Sequence, residues 1–183
     1  WFSRFYLGPA RPVKLLESLE RFALHNSLFC TAASQSMATA LNKAYETKSN
    51  ITVIYNGFST KQENHSNTVV HKIDTNNSSL KLLWFSRTIG SGRGIEYILK
   101  ALIEYEQPVE LHLLGDMKKG FREYLEAEFK LLKNHTLVIH PFIPHEQLQE
   151  FIGQVQIGLA IEENINDNKQ LTISNKILQY LQA

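Results

Sequence analysis

The chain has 183 residues, 43% of them hydrophobic, which suits one domain or two small ones with a sizeable core. A formal net charge of +1 excludes a strongly basic nucleic-acid binder as the default, and no apolar run approaches the length of a membrane span. The single cysteine, Cys30, excludes an intrachain disulfide, and a reducing cytoplasm is the simplest fit.

Residues Trp1 to Arg11 are aromatic and basic and carry no clear element. From Pro12, suited to a first helical turn, apolar residues recur at helical spacing: Leu15, Leu16, Leu19, Phe22 and Ala23. Ser27 to Ala32 reads as a short buried strand. Ser34 or Ser36 then caps a helix whose stripe is Met37, Ala40, Leu41, Ala44 and Tyr45. Ile51 to Tyr55 is β-branched and aromatic, a strand ending at the turn pair Asn56-Gly57. Ser59 to Ser79 is polar and reads as a linker between two domains, or as a long surface loop of one.

Beyond that stretch the alternation is regular. Strands are expected over 80–85, 109–114, 136–140 and 157–161, and helices over 94–103, 121–132, 144–152 and 174–183, with a polar loop over 162–170. Such alternation predicts an α/β fold, a doubly wound parallel sheet whose strand-to-helix loops share one edge, where ligands bind in folds of this kind. The chain opens on Trp1 and ends at Ala183 inside a helical pattern, so it reads as part of a longer protein.

Candidate site residues lie on that edge. Arg87 and Arg93 bracket a loop with Gly90 and Gly92 between a strand and a helix start. Guanidiniums and free helix amides both favour phosphate, although each arginine alone could be a solvated charge. The glycines match neither a P-loop nor a dinucleotide fingerprint. Gly115-Asp116 reads as a tight strand-to-helix turn. Phe142-Ile143-Pro144 could wall a base slot or simply pack. Ser174 is a helix cap, and Ser174, Asn175 and Lys176 together could hold another face of a phosphate. The seven histidines show no metal spacing, Cys30 reads as a core residue, and Ser34 and Ser36 lack a nucleophile pattern.

Several stretches, in order, resemble the C-terminal half of a GT-B-fold glycosyltransferase of the retaining family four (glycosyl transferases group 1). VIYNGFS (Val53 to Ser59) is similar to the strand and turn leaving that family's N-terminal domain. LLWFSRTIGSGRGIEYILKAL (Leu82 to Leu102) resembles its phosphate-binding turn, with Arg93 where a Lys is usual and Ser86 where a Gly is common. VELHLLGD (Val109 to Asp116), VIHPFIPHEQL (Val138 to Leu148) and LTISNKILQYLQA (Leu171 to Ala183) resemble the next two strands and the donor-site helix. Two glutamates often stand eight positions apart in that last stretch; here the positions hold Leu171 and Gln179.

The resemblance implies residues 1–58 as the end of an acceptor-side Rossmann-like domain, 59–79 as linker, and 80–183 as an incomplete nucleotide-sugar-binding Rossmann-like domain. It implies that Arg87, Arg93, Ser174, Asn175 and Lys176 hold the donor diphosphate. Phe142 and Ile143 would flank the base and Gln179 would meet the ribose; no catalytic group is identified. The expected activity is hexosyl transfer from a nucleotide-diphosphate sugar to a glycan or lipid-linked acceptor with retention, as in polysaccharide biosynthesis. The donor is a co-substrate, with no metal or other cofactor required, and the isolated fragment is expected to be inactive. The expected location is cytoplasmic, extending to peripheral association with the inner face of the membrane, and nucleic acid is not an expected partner. The alternatives are a non-catalytic nucleotide-sugar-binding or scaffolding protein, supported by Leu171 and Gln179, and a nucleotide-sugar epimerase.

Overall fold

The structure, a computed structural model, describes residues 12–47, 51–57, 79–161 and 171–183. The expected linker up to Asn77-Ser78 and the expected polar loop over 162–170 lie outside the described residues. Two compact units are present.

In the first unit, α1 (Val13–Asn26) follows Pro12 and β1 (Cys30–Ala32) pairs in parallel with β2 (Ile51–Val53), with α2 (Gln35–Tyr45) between them in sequence. Ser34 caps α2 by accepting the Met37 N–H at 3.0 Å, and its own hydroxyl donates to the carbonyl of Leu171. The Tyr45 hydroxyl donates to the Glu20 carboxylate, and burial together with that carboxylate pushes the phenol up to about 12. The run from Ser27 is not a buried strand throughout. The Ser27 N–H closes the last turn of α1 on the Ala23 carbonyl, and Leu28 and Phe29 are exposed, so only three residues reach the ladder.

The second unit carries an α/β core on a four-stranded parallel sheet. Its strands are β3 (Leu80–Ile89), β4 (Val109–Met117), β5 (His135–His140) and β6 (Ile157–Gly158), in the spatial order β5-β4-β3-β6. The helices are α3 (Ile95–Glu104), α4 (Lys119–Leu131), α5 (His145–Ile152) and α6 (Asn175–Gln182). Strand alternation sends Leu82, Trp84, Leu111 and Leu113 to one face, under Ile98 and Leu102 of α3 and Leu125 and Phe129 of α4. Leu83, Phe85 and Leu114 go to the other face, under Leu148 and Ile152 of α5 and Tyr180 of α6. Each fully buried Leu or Ile contributes about 1.5–3 kcal/mol, which is why the central strands are nearly continuous apolar runs.

Two strands differ from the expected bounds. β3 runs four residues beyond Phe85 and β4 runs through Gly115 to Met117, because the two keep pairing: Thr88 lies opposite Asp116 and Ile89 opposite Met117. Between Phe85 and Thr88 the register slips by one residue. Gly115 is therefore part of a strand and not a turn. Its φ is 140°, and a Cβ there would lie 1.8 Å from the Ser86 carbonyl oxygen. β6 is shorter than expected, since α6 comes down on it: a Cβ on Gly158 would lie 2.3 Å from the Tyr180 ring. The Tyr180 hydroxyl donates to the Leu83 carbonyl at 2.8 Å, with the Leu159 carbonyl at 3.3 Å.

Candidate functional site

The strand order makes β3 and β6 the neighbours at which the winding of the sheet reverses. At such a switch point the following loops diverge and leave a crevice beyond the carboxyl ends of the strands. Two strand ends and two helix starts meet there.

The loop after β3 is built from glycines for steric reasons. Gly92 has φ 70° and Gly94 has φ 91°, both left-handed. A Cβ on Gly94 would lie 2.6 Å from Cγ2 of Ile161, just beyond β6. The Gly92 N–H donates to Oε1 of Glu96 at 3.0 Å, which ties the loop to the first turn of α3. On its other side the loop meets the turn after β4: the Lys118 N–H donates to the Ile89 carbonyl at 3.1 Å. Gly94 supplies no side chain to cap α3, whose leading amides keep their positive end of the helix dipole.

Arg87 and Arg93 sit at the two ends of this loop and are exposed. Arg87 lies within the extended part of β3, past the register slip, and makes no hydrogen bond or ion pair with the described residues. Arg93 is held: its Nη1 donates to Oγ of Ser86 at 3.0 Å. The start of α6 approaches the same strand end. Ser174 is its N-cap and accepts from the Lys176 N–H at 3.4 Å, while Asn175 is exposed. Lys176 is buried, with Nζ 5.0 Å from the centre of the Trp84 ring, a cation on an indole face. Trp84 is itself fixed, its Nε1–H donating to the Ile161 carbonyl at 3.2 Å. Contacts thus run from Lys176 through Trp84 and Ile161 to Gly94, beside Arg93.

The remaining expected residues are spread more widely. Phe142 projects into solvent at 56% exposure, whereas Ile143 packs into the core with Leu83 and Phe85. Gln179 is buried on α6. Leu171 belongs to the first unit, where its backbone carbonyl accepts from Ser34. Trp84 and Glu96 support this edge and were not singled out in the sequence, and Ser86 stood out only as a residue where a Gly is common. Trp84 lay within the expected strand over 80–85 with no separate role, and only the packing of α6 turns its ring into a platform. The Ser86 to Arg93 spacing was visible as a strand-to-helix loop but carried no sign of a hydrogen bond across it.

Chemically, the arrangement offers two exposed guanidiniums, an uncapped helix start and a third cation behind them, a setting for a multiply charged anion. Among the described residues no group of three or more His, Cys, Asp and Glu side chains is placed to hold a metal ion, and no helix is long and apolar enough to cross a membrane. No protein-family model matches the chain, and no curated protein does.

Proposed function

We propose that the second unit is the donor-binding part of a glycosyltransferase that uses a nucleotide-diphosphate sugar. The observation that carries this reading is the pair Arg87 and Arg93 at the switch point of a parallel sheet, flanking a glycine loop that opens on an uncapped α3. In this reading the guanidiniums and the first amides of α3 and α6 take the two phosphates. Their positive charge stabilises the diphosphate as it leaves the sugar, where negative charge develops in the transition state. Lys176 adds charge from beneath, on the Trp84 platform. Phe142, exposed after β5, offers a face for the base, and Gln179 is the nearest counterpart to a ribose ligand. Transfer to a glycan or lipid-linked acceptor with retained configuration follows from the resemblance alone, as does work at the inner face of a membrane.

A second reading, a nucleotide-sugar binder without transfer activity, is favoured by one observation. The two positions where the resembled family often carries glutamates hold Leu171, engaged through its backbone in the first unit, and the buried amide Gln179. Neither supplies a carboxylate.

Thermal unfolding with UDP, GDP and ADP tests the site. One diphosphate at a hundredfold excess over its Kd is expected to stabilise the chain by about 2.7 kcal/mol. Arg87→Ala removes an exposed side chain with no described partner, so it is expected to abolish that shift while leaving unliganded stability unchanged within about 0.5 kcal/mol. A shift that survives Arg87→Ala, or no shift with any diphosphate, overturns the reading. Donor hydrolysis by the full-length protein then separates enzyme from binder.

A further inference from the structure

On the opposite face of the sheet from α3 and α4, two histidines 28 positions apart in sequence are joined. His112 Nδ1 and His140 Nε2 lie 2.9 Å apart, the rings are parallel within 7°, and their centres are 5.2 Å apart. His112 is in mid-strand on β4. His140 is the last residue of β5 and leads directly into Pro141, Phe142 and Ile143. The Phe151 ring of α5 stands edge-on to both, 4.7 Å from His140 and 6.5 Å from His112. Behind His112, its Nε2 lies 3.4 Å from Oε2 of Glu110, and the Ser79 hydroxyl donates to Oε1 of that carboxylate at 2.6 Å.

The contact between the rings limits the protons they hold. One of the two facing nitrogens must donate and the other accept, so a single proton lies between them. A neutral pair satisfies this. So does a singly charged pair, with His112 protonated at both nitrogens, one directed at Glu110 and the other at His140. A doubly charged pair does not, because two N–H groups then point at each other and two like charges share a half-buried site.

We propose that His140, backed by His112 and Glu110, is a positioning residue for the base-holding turn 141–143, and that the turn keeps its place only while the pair carries at most one extra proton. The inference rests on the donor-site reading for the identity of the turn, while the proton count rests on the contacts alone. Among the described residues the charged groups that bear on the pair are Glu110 on β4 and Lys81 on β3. Helix α5 presents Phe151, which takes no proton, and its ionisable residues His145, Glu146 and Glu150 are exposed. Burial holds both imidazoles below their ordinary range, and His112 lowers His140 further. The second proton is therefore resisted and enters late. Its entry breaks the contact on which the end of β5 rests.

The whole chain, labelled with nitrogen-15, is followed by NMR from about pH 8 to about pH 4.5, a range that brackets imidazole titration. The expected result is that the two rings titrate as a coupled pair, and that the Phe142 and Ile143 amides move in the step that adds the second proton. Rings that titrate independently, or amides that stay still through that step, overturn the proposal. His140→Phe keeps an aromatic ring against Phe151 but takes no proton, and it is expected to abolish the pH response of those amides; a response that persists overturns the proposal. His112→Phe gives the same test if the first variant does not fold. Affinity for the diphosphate that stabilises the chain is read alongside. It is expected to weaken only in the step that adds the second proton, and by at most about tenfold per pH unit, the limit for one linked proton. Affinity that does not change with pH overturns the positioning role. No diphosphate binding at any pH defeats the donor-site reading and leaves the proton count to the ring titrations.

Discussion

Gly115 marks where two strands come closest. Its left-handed backbone and the Ser86 carbonyl oxygen in the space of a Cβ leave no room for a methyl group. Gly115→Ala is expected to destabilise the chain by on the order of 3 kcal/mol, since backbone and not a flexible side chain must yield. Urea unfolding with an unchanged slope checks this. The same substitution threatens function, because Ser86 is also the acceptor that holds Arg93. The sequence showed Gly115 only as a turn former. The requirement comes from a register slip between two strands, and no local pattern on either strand encodes it.

At the level of elements, α6 is joined to the sheet chiefly by Tyr180. Its hydroxyl reaches the carbonyls of Leu83 on β3 and of Leu159 just past β6, and its ring covers Gly158 and meets Phe85 edge-on with centres 5.3 Å apart. The Leu83 carbonyl also accepts the Leu159 N–H at 2.7 Å, so it stays satisfied if the hydroxyl is lost. Tyr180→Phe should therefore cost only about 1 kcal/mol, seen as a lower denaturation midpoint. Most of these elements were legible from apolar spacing, because each buries one face: the stripe of α3 and the runs of β3 and β4 are the clearest cases. Three things were not legible. β3 continues through the polar residues Ser86, Arg87 and Thr88, which hydropathy reads as loop, because pairing with β4 resumes at Thr88 after the register slip. Leu28 and Phe29 are apolar yet exposed, because a helix end and not a ladder takes that backbone. The histidine pair depends on the register between β4 and β5, which spacing along the chain cannot reveal. Of the candidate site, the arginines and the helix starts were legible as chemistry, while the Trp84 platform that supports Lys176 was not.

For the whole molecule, the half-buried imidazoles of His112 and His140 set a slope of stability with pH. Both are held below the ordinary value of 6.5 by burial, so the unfolded chain binds more protons than the folded one once the pH drops under that value. Their contribution is complete above pH 6.5 and is lost as the pH falls through the folded values. Glu110 is shifted the same way, chiefly by the Ser79 hydroxyl, and remains a carboxylate throughout that window. Its own contribution is lost only at lower pH, below the ordinary value of 4.5. Denaturant midpoints on either side of pH 6.5 are expected to fall toward acid, and His140→Phe is expected to flatten the slope.

The stacked Lys176 and Trp84 also have an optical consequence. The sequence holds two tryptophans, Trp1 and Trp84, so Trp1→Phe leaves one emitter. That indole is 1% exposed and lies beneath a cation that the proposed diphosphate would draw toward itself. Its emission should be blue-shifted in the free protein and change in intensity as a diphosphate titrates in. The fold would then report occupancy of its own crevice by light, without an added label.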